Sequence, residues 1–396
     1  MKVVILGYGS VGSVLSKMLS KEKRVKEIIC CGINFKRKQE DERVIHKIID
    51  LTDEKKLVEF LNKEKPDAVV NATHPKFNLN IMKACIKAKV NYIDTASFWD
   101  FDPNPKAKIP YKMEQTDHNK DFLKNNKIGL IEAGVAPGMD NLMAAECASE
   151  LDEVDYIKIR MVEDTGSNEI YFPWNKEWLL DELSTKPIVY ENGVFKLVDS
   201  FGAEEEYTFP EPIGKRKTYY FAQDEVGSIP LHIKTKKLDV KIHDNNISVF
   251  KTLLALGLLS EKKISVDGVK VKPLSVLTKL LPNPIPGEEK KFPEARFAMS
   301  VEAIGKINKK KKIVKCSIVF PAQKDINKLG LDANFISYPT ALSIKLFLME
   351  IPNITKRGVF PPEILEKVIR KRILNELKKI KQINFTKKMV ACFSQI

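Results

Sequence analysis

A glycine-rich hexad directly after a short apolar run constrains the fold of this chain more than any other feature. The run Lys2–Leu6 is typical of a buried strand, and Gly7-Tyr8-Gly9-Ser10-Val11-Gly12 follows it at once. Gly7 permits a tight turn, Gly9 lets the backbone approach a diphosphate, and Gly12 lets a helix pack closely on the strand. The next residues have a helical pattern, and the free amides and dipole at a helix start bind anions. The hexad therefore predicts a dinucleotide-binding domain rather than a glycine-rich turn without a ligand.

The first third of the chain alternates short apolar runs with longer helical patterns. This alternation is typical of a parallel sheet covered by helices. The apolar runs predict strands over Lys2–Leu6, Glu27–Cys31, Asp67–Asn71, Tyr92–Asp94 and Ile128–Glu132. The helical patterns predict helices over Val11–Ser20, Asp53–Glu64, Asn78–Ala88 and Lys112–Asn125. We therefore predict an α/β domain of the Rossmann type.

A different pattern begins after Asn141 and ends near Tyr338. Strand-like segments with few helices between them predict a mixed sheet, and hence a second, α+β domain. These segments include Tyr156–Val162, Ile229–Lys241, Ala295–Ile307 and Ile313–Phe320, with Lys309–Lys312 at a hairpin tip. The tail becomes helical again, with apolar residues at helical spacing in Pro362–Ile380. We expect this basic amphipathic helix to pack on the first domain rather than to lie on a membrane.

Composition excludes several classes of protein. The 396 residues are 43% hydrophobic, which suffices for two packed domains and is too apolar for a disordered chain. No apolar run reaches the roughly 18 residues that cross a bilayer, and the amino terminus lacks a secretory pattern. The net charge of +14 comes from lysines mixed with glutamates, which indicates a solvated surface rather than a nucleic-acid-binding stripe. We expect a soluble cytoplasmic protein without nucleic-acid or membrane partners.

The cysteines and histidines do not predict a metal site. The 6 cysteines are scattered and include no Cys-x-x-Cys pair, and the 5 histidines lack the spacing of metal ligands. Buried thiols in a reducing compartment explain this cysteine distribution.

The end of the second predicted strand indicates which dinucleotide binds. An acidic residue about 20 residues after the hexad would bind the ribose 2′-hydroxyl of NAD. Here the chain reads Asn34, Phe35, Lys36, Arg37 and Lys38, and the first carboxylate is Glu40. Cations at this place suit a 2′-phosphate, so we predict NADP, with NAD as the alternative cofactor. The same cations could instead begin a solvated helix.

Several segments beyond the hexad resemble the saccharopine dehydrogenase family. They are Val70–Pro75, Tyr92–Ala96, Gly134–Asn141, Leu281–Pro284 and Arg357–Glu363. These segments span nearly the whole chain in the order of the family, so the resemblance is specific for the family and less specific for the substrate. Its members include saccharopine reductases, carboxynorspermidine dehydrogenases and lysine 6-dehydrogenases, which use a nicotinamide cofactor on a C–N bond of an amino acid or polyamine.

The resemblance implies an architecture and a cofactor site. A Rossmann domain would comprise residues 1–138 and the helices of residues 337–396, which return to it. Residues 139–336 would form a central α+β domain for substrate binding and dimerisation, and the protein would be a homodimer. Asp50 and Leu51 would lie near the adenine. The nicotinamide side would be lined by residues that follow strand ends, namely Asn71, Ala72, Thr73, Thr95, Ala96, Gly134 and Pro137.

The chain departs from the family pattern at three places. Saccharopine reductases and carboxynorspermidine dehydrogenases typically have Asp in place of Ala136 and Tyr in place of Lys76. The alanine is similar to lysine 6-dehydrogenases, whereas Tyr111–Glu114 resembles the carboxynorspermidine branch. Around Gln223 the usual histidine of the middle domain is replaced. These mixed features leave the identity of the substrate open.

Reduction of an imine needs a hydride from the cofactor and a proton for the nitrogen. His74 and Lys76 follow a predicted strand, and a histidine there titrates near neutrality. Asp94 could orient a reacting group. We predict these three residues as catalytic. Each has a structural alternative: a loop histidine bonded to backbone, a surface lysine, and a carboxylate that caps the next turn.

An amino-acid substrate also brings carboxylates, which arginine binds with two parallel hydrogen bonds. Outside the predicted cofactor domain and tail, the only arginines are Arg160, Arg216 and Arg296. Arg160 ends a predicted strand and is our candidate ligand, with a surface strand position as the alternative. Trp174 could line an aliphatic substrate chain, or belong to the core or a dimer interface.

We therefore predict an NAD(P)-dependent oxidoreductase that transfers hydride to or from the C–N bond of an amino-acid or polyamine derivative. One alternative is a lysine 6-dehydrogenase-like amine oxidation, which Ala136 favours. The other is a catalytically silent NADP-binding regulatory protein, which the missing Asp and Tyr favour.

Overall fold

The computed structural model describes residues 1–33, 35, 41–97, 100–101, 109–112, 114–282 and 287–391. The chain forms two compact units. The first consists of Met1–Glu146, Leu231–Ile233 and Ser337–Lys381, and the second of Cys147–Pro230, Lys234–Ile336 and Gln382–Ile396. The domain limits given above from the sequence stay a prediction.

A seven-stranded parallel sheet forms the centre of the first unit. In spatial order its strands are Gly358–Phe360, Ile128–Leu130, Asn91–Asp94, Ala68–Asn71, Lys2–Leu6, Glu27–Gly32 and Val44–Ile48. The chain proceeds from Lys2–Leu6 to one edge and then crosses to Ala68–Asn71 on the other side. This reversal of strand order creates a crevice beyond the carboxyl ends of the strands, where open α/β sheets bind ligands. The predicted Rossmann-type architecture is confirmed.

Helices cover this sheet and bury its apolar strands. They are Ser10–Ser20, Glu54–Glu64, Asn78–Ala88, Asn119–Lys124, Met139–Ala148, Ser337–Glu350 and Lys367–Lys378. One core cluster joins Val4 and Leu6 of the central strand to Leu57 and Ile81 of two helices. Asp53 begins the second helix, because its side chain accepts a hydrogen bond from the Lys56 amide at 3.0 Å.

A mixed sheet forms the centre of the second unit. Its main path runs Val194–Leu197, Ile188–Glu191, Lys237–Asp244, Glu153–Asp164, Arg296–Ile307, Lys310–Val319 and Asn384–Ala391. The hairpin of Glu205–Thr208 and Lys215–Tyr220 pairs with Lys237–Asp244. A separate hairpin joins Ile264–Val266 to Val269–Val271. The helices are Lys176–Ser184, Glu225–His232, Ile247–Ala255, Pro273–Leu280 and Gln323–Asn327.

The structure confirms several predicted elements and corrects others. The helix Asn78–Ala88 and the hairpin around Lys309 are confirmed, with Asn308 and Lys309 at φ of 49° and 63° in the turn. The predicted strand Ile229–Lys241 is wrong, since Glu225–His232 is helical and the strand begins only at Lys237. A short apolar run does not distinguish a buried strand from a buried helix.

Two further predictions also need correction. The predicted helix Lys112–Asn125 is divided into a short strand Tyr111–Lys112, a 3₁₀ turn Glu114–His118 and a helix Asn119–Lys124. The tail is not helical throughout. Gly358–Phe360 joins the parallel sheet, and Asn384–Ala391 pairs with Lys310–Val319 in the second unit.

Candidate functional site

The hexad forms the turn between the strand Lys2–Leu6 and the helix Ser10–Ser20. Gly7 has a φ of 97°, and a Cβ atom there would lie 2.6 Å from the Ala72 carbonyl oxygen. A Cβ atom at Gly12 would lie 1.9 Å from the Gly7 carbonyl oxygen. Both positions therefore exclude a side chain. Beside Gly9 the space is open, since a Cβ atom would meet no heavy atom within 4 Å.

The start of this helix has the features of an anion site. Gly9 is the cap residue, and within the described residues no side chain caps the helix and no acidic residue occupies its first turn. The first amides of a helix have no partner within it and carry a partial positive charge. With the open space beside Gly9, this arrangement fits the diphosphate of a dinucleotide.

Three aromatic rings cluster at the end of the second strand. The Phe35 ring stacks on His46 with centroids 4.3 Å apart, and Tyr8 contacts both rings at 5.3 and 4.7 Å. Burial lowers the pKa of His46, which favours its neutral form. These rings lie where the sequence predicts the adenosine half of the cofactor. Of the three, the sequence analysis predicted only Tyr8 as a cofactor residue.

The two predicted adenine-side residues lie in the turn after the strand Val44–Ile48. Asp50 is exposed and accepts hydrogen bonds from the Thr52 amide at 2.9 Å and hydroxyl at 2.6 Å. The Leu51 carbonyl accepts a hydrogen bond from Asn80. The residues predicted to select NADP lie outside the described residues: Asn34, Lys36 and Arg37.

Asn71 organises the nicotinamide side of the predicted site. Its Oδ1 accepts hydrogen bonds from the Thr73 amide at 3.0 Å and hydroxyl at 2.6 Å. Its Nδ2 donates to Asn78 Oδ1 at 2.8 Å, and Asn78 in turn donates to the Ala96 carbonyl at 2.8 Å. Two asparagine side chains thus link the turns at residues 71–73 and 95–96, which the sequence predicted to lie together.

A buried polar network continues along the next strand ends. Asp94 Oδ1 accepts a hydrogen bond from the Glu132 amide at 2.7 Å, and Asp94 Oδ2 accepts one from Gln115 at 2.6 Å. The Ser97 hydroxyl donates to Glu132 Oε1 at 2.6 Å. All four residues are at most 3% exposed. Sequence reasoning missed Gln115 and Glu132, although Glu132 directly follows an apolar strand, the usual place of site residues in such sheets.

The loop Gly134–Asn141 is fixed by two buried side chains. The Gly138 amide lies 2.9 Å from both Asp140 Oδ1 and Asn141 Oδ1, and Asn141 Nδ2 donates to Glu363 at 3.0 Å. Gly134 packs against the backbone of Thr95. Predicted site residues Gly134 and Pro137 are therefore held beside the Asp94 network.

The Asp94 carboxyl group exchanges its proton near neutral pH. Burial raises the pKa of Asp94 to about 7, although the hydrogen bond from the Glu132 amide opposes this shift. The folded protein therefore binds a proton that the unfolded chain releases between about pH 4 and 7. The stability of the protein should fall as the pH rises through this window.

We expect Asp94→Asn to remove most of this pH dependence. An amide cannot ionise, so above about pH 7 the variant should be more stable than the wild type, by up to about 4 kcal/mol. Urea denaturation between pH 4 and 8 measures this difference. Asp121→Asn, at a site 56% exposed, serves as the control. Parallel stability curves for wild type and Asp94→Asn would contradict the assignment.

His74 and Lys76 follow the strand Ala68–Asn71. His74 Nδ1 accepts a hydrogen bond from the Lys76 amide at 3.2 Å, so Nε2 carries the proton of the neutral ring. Lys76 is exposed, with its Nζ 5.2 Å from the centre of the Phe77 ring. The structure therefore gives His74 a defined orientation and leaves Lys76 at the surface.

In the second unit, Arg160 lies in a buried ion cluster. Its guanidinium donates to Asp239 Oδ1 at 2.6 Å and to Glu205 Oε2 at 2.7 Å, and the residue is 0% exposed. Lys158 and Lys241 also bind Glu205. This arrangement favours a structural role for Arg160 over the predicted role in substrate binding.

Trp174 is half-buried, and its Nε1 has no hydrogen-bond partner in the part of the chain described.

The second unit also contains a group of half-buried carboxylates. Glu163 and Asp244 are paired across neighbouring strands, and Gln223 donates to Glu182. Burial and the negative charges of Asp224 and Asp244 raise the pKa of Glu182 to about 8. Burial also raises the pKa of Asp244 to about 6, and burial with its two acidic neighbours raises that of Glu163 well above its usual value. A cation placed here would be stabilised by these groups.

The described residues contain no cluster of three or more His, Cys, Asp or Glu side chains suited to a metal ion. Among them, no helix combines the length and apolar character needed to cross a bilayer.

Known proteins match both parts of the sequence. Residues 3–127 match the family described as "Saccharopine dehydrogenase NADP binding domain", and residues 134–383 match "Saccharopine dehydrogenase C-terminal domain". The first match contains the hexad and all the predicted cofactor-side residues up to Ala96. The second begins at Gly134 and ends within the tail.

Two curated relatives and one solved structure are similar to the chain. Carboxynorspermidine synthase of Vibrio alginolyticus is 30% identical over 279 residues, which are 69% of this chain and 66% of that protein. Carboxyaminopropylagmatine dehydrogenase of Synechocystis sp. is 24% identical over 294 residues, 72% of this chain and 73% of that one. Saccharopine dehydrogenase (L-Glu forming) from Saccharomyces cerevisiae has a similar fold, with a TM-score of 0.70 over 98% of this chain and 100% of that one at 14% identity.

Proposed function

Because this chain belongs to the saccharopine dehydrogenase family, we propose that it is an NAD(P)-dependent oxidoreductase acting on the C–N bond of an amino-acid or polyamine derivative. The observation that carries this proposal is the glycine turn of the hexad. It has open space beside Gly9 and lies at the point where the order of the parallel strands reverses. The names of both curated relatives point to carboxylated polyamine-like molecules. The chain spans just under two thirds of the Vibrio relative, 66%.

The side chains of the first unit would orient the coenzyme and manage a proton. When bound, the nicotinamide would carry the hydride. Asn71, Asp94 and Glu132 hold the turns that follow three neighbouring strands, and these turns would position the ring. His74 would exchange a proton with the substrate nitrogen through Nε2, because Nδ1 is held by the Lys76 amide.

We expect His74→Ala to lower turnover and to leave coenzyme affinity nearly unchanged. A general acid or base contributes about 10²- to 10⁴-fold to a rate, so kcat should fall by about that factor. Steady-state kinetics and calorimetric titration with NADPH measure the two effects separately. Lys83→Ala, at an exposed position of the helix that follows, is the matched control. A fully active His74→Ala enzyme would assign His74 to the structural role of a loop histidine.

We propose that NADP is preferred over NAD, because Lys36 and Arg37 follow the second strand where a carboxylate would select NAD. Changing both residues to Ala should weaken NADP binding about tenfold or more relative to NAD, since charged hydrogen bonds to the 2′-phosphate would be lost. Fluorescence titration with NADPH and NADH measures the ratio. The double variant Lys63→Ala, Lys65→Ala, at exposed positions, is the control. An equal loss for both coenzymes would contradict the proposal.

We propose that the substrate carries a protonated amine, which the carboxylates of the second unit would bind. Burial and the negative charges of Asp244 and Glu182 raise the pKa of Glu163, and burial with the charges of Asp224 and Asp244 raises that of Glu182. A cation among these carboxylates would relieve this repulsion. The replacement of the family's usual histidine by Gln223, which donates to Glu182, leaves this region acidic. A polyamine-like substrate fits these charges better than a purely anionic one.

A substrate assay tests the proposed function and its alternatives. The full-length protein would be given aldehyde plus diamine with NADPH in one arm, and lysine with NADP in the other. Turnover in the first arm supports a reductive condensation. Turnover with lysine would favour lysine 6-dehydrogenase-like oxidation, consistent with Ala136. Tight NADPH binding without turnover in either arm would favour the catalytically silent regulator.

A further inference from the structure

A cavity lies in the second unit, on the face of the sheet opposite to Glu163. It has a volume of about 600 Å³ and lies beside Asp164, at the carboxyl end of the strand Glu153–Asp164. Adjacent residues of a strand point to opposite faces. The cavity is therefore separate from the acidic group of Glu163 and Glu182, and its volume is in the range of small-molecule sites.

Strand pairing brings cationic and imidazole side chains to this one face. Arg296 is paired with Asp164, and His243 is paired with Val162, two residues earlier on the same strand. Paired residues, and residues two apart on one strand, share a face of the sheet. Arg296 and His243 thus line the cavity from the two strands on either side of Asp164.

Most charges around the cavity are already compensated. Arg216 donates to Asp164 Oδ2 through Nε at 3.1 Å and Nη2 at 2.7 Å, and Asp164 Oδ1 accepts from the Gly166 amide at 2.8 Å. Glu294 is paired with Lys324. These contacts leave two neutral pairs at the rim.

Arg296 is the exception. It is half-buried, and its guanidinium forms no hydrogen bond or ion pair with any residue that the structure describes. Asp325, an acid close enough to sense its charge, is itself bridged to Lys328 at 2.7 Å. Removing a guanidinium from water costs free energy unless an anion accepts its hydrogen bonds. The Arg296 guanidinium therefore leaves an uncompensated positive charge in the cavity, with N–H groups placed to donate two parallel hydrogen bonds.

His243 adds a hydrogen-bond acceptor. Its Nδ1 lies 2.8 Å from the Lys217 carbonyl oxygen, and because a carbonyl only accepts, Nδ1 carries the proton. Burial lowers the pKa of His243, which keeps the ring neutral near pH 7. The remaining nitrogen, Nε2, then has a lone pair for an N–H or O–H group of a ligand.

We propose that this cavity binds a small carboxylate that also carries an adjacent amino or hydroxyl group, with the carboxylate on Arg296 and the donor group on His243. An α-amino acid has this chemistry. The site does not depend on the proposed function, because it lies on the other face of the sheet and contains no residue assigned to the coenzyme.

Calorimetric titration of the full-length protein with three probes tests the proposal. The probes are L-glutamate, 2-oxoglutarate, which has a carbonyl in place of the amino group, and inorganic phosphate. We expect glutamate to bind more tightly than 2-oxoglutarate, and Arg296→Gln to weaken glutamate about tenfold to a hundredfold. His243→Leu should weaken glutamate and leave 2-oxoglutarate unchanged. Arg372→Gln, in the first unit at a side chain 51% exposed, is the matched control.

The design separates binding from folding and from the coenzyme site. Arg296→Lys keeps the charge and loses the fork, so it should give an intermediate affinity even if Arg296→Gln is poorly folded. Equal glutamate affinity in wild type and Arg296→Gln would overturn the proposal. Binding of phosphate alone, or no heat from any probe at concentrations on the order of millimolar, would overturn it as well.

Discussion

Replacement of Gly9 by valine is expected to abolish binding of NADP and NAD while the protein remains folded. In the structure a Cβ atom at Gly9 meets no heavy atom within 4 Å, and the residue has an extended backbone with φ of −88° and ψ of −153°. Valine adopts this conformation without strain. Its side chain would occupy the space that the diphosphate needs next to the helix amides. We expect a loss of affinity of at least about a hundredfold, or about 2.7 kcal/mol.

A comparison with Gly12→Val makes this result specific. At Gly12 a Cβ atom would lie 1.9 Å from the Gly7 carbonyl oxygen, so valine there should disturb the fold as well as the coenzyme site. Thermal unfolding separates the two variants, and fluorescence titration with NADPH measures affinity. Gly9→Val should unfold like the wild type, and Gly12→Val at a lower temperature. Unchanged NADPH affinity in folded Gly9→Val protein would remove the claim that this turn binds the diphosphate.

The sequence predicts the cofactor unit well, because its signals are local. A buried strand, a glycine turn and an amphipathic helix follow one another without interruption in residues 2–20, and each has its own pattern. The family resemblance predicts the turns at Asn71 and Thr95 on the nicotinamide side, in agreement with the shared edge at which parallel strands end. The strand Val44–Ile48 was missed, since it lies at the edge of the sheet and only Val44 among its residues is buried.

The partners of buried polar residues could not be predicted in the same way. Asp94 is bonded to Gln115 and Glu132, which are 21 and 38 residues away. No periodic pattern encodes such pairs, because they depend on how loops from different strands pack. The same limit explains why the partners of Arg160 were not predicted. A strand position and a scarce residue type suggested a ligand, but neither reveals that Asp239 and Glu205 lie opposite it.

The ion cluster around Arg160 leads to the second large effect. Arg160 contacts Asp239, whose side chain is 2% exposed, and Glu205, whose side chain is 22% exposed. Burial opposes ionisation of Glu205, but Arg160 with Lys158 and Lys241 outweighs it and lowers the pKa of Glu205 to about 2. After loss of Arg160 the two lysines would still compensate Glu205, whereas Asp239 would keep only the Tyr156 hydroxyl among the described side chains that bind it.

Arg160→Met should therefore destabilise the protein by about 3–5 kcal/mol, because it leaves a buried carboxylate without its cation. Urea denaturation measures the change. The double variant Arg160→Met, Asp239→Asn removes that uncompensated charge as well, and it should recover most of the lost stability. Arg372→Met, at a side chain 51% exposed, should change stability by less than about 1 kcal/mol. If Arg160→Met instead kept its stability and only raised KM for the substrate, Arg160 would be a substrate ligand and the structural explanation would be wrong.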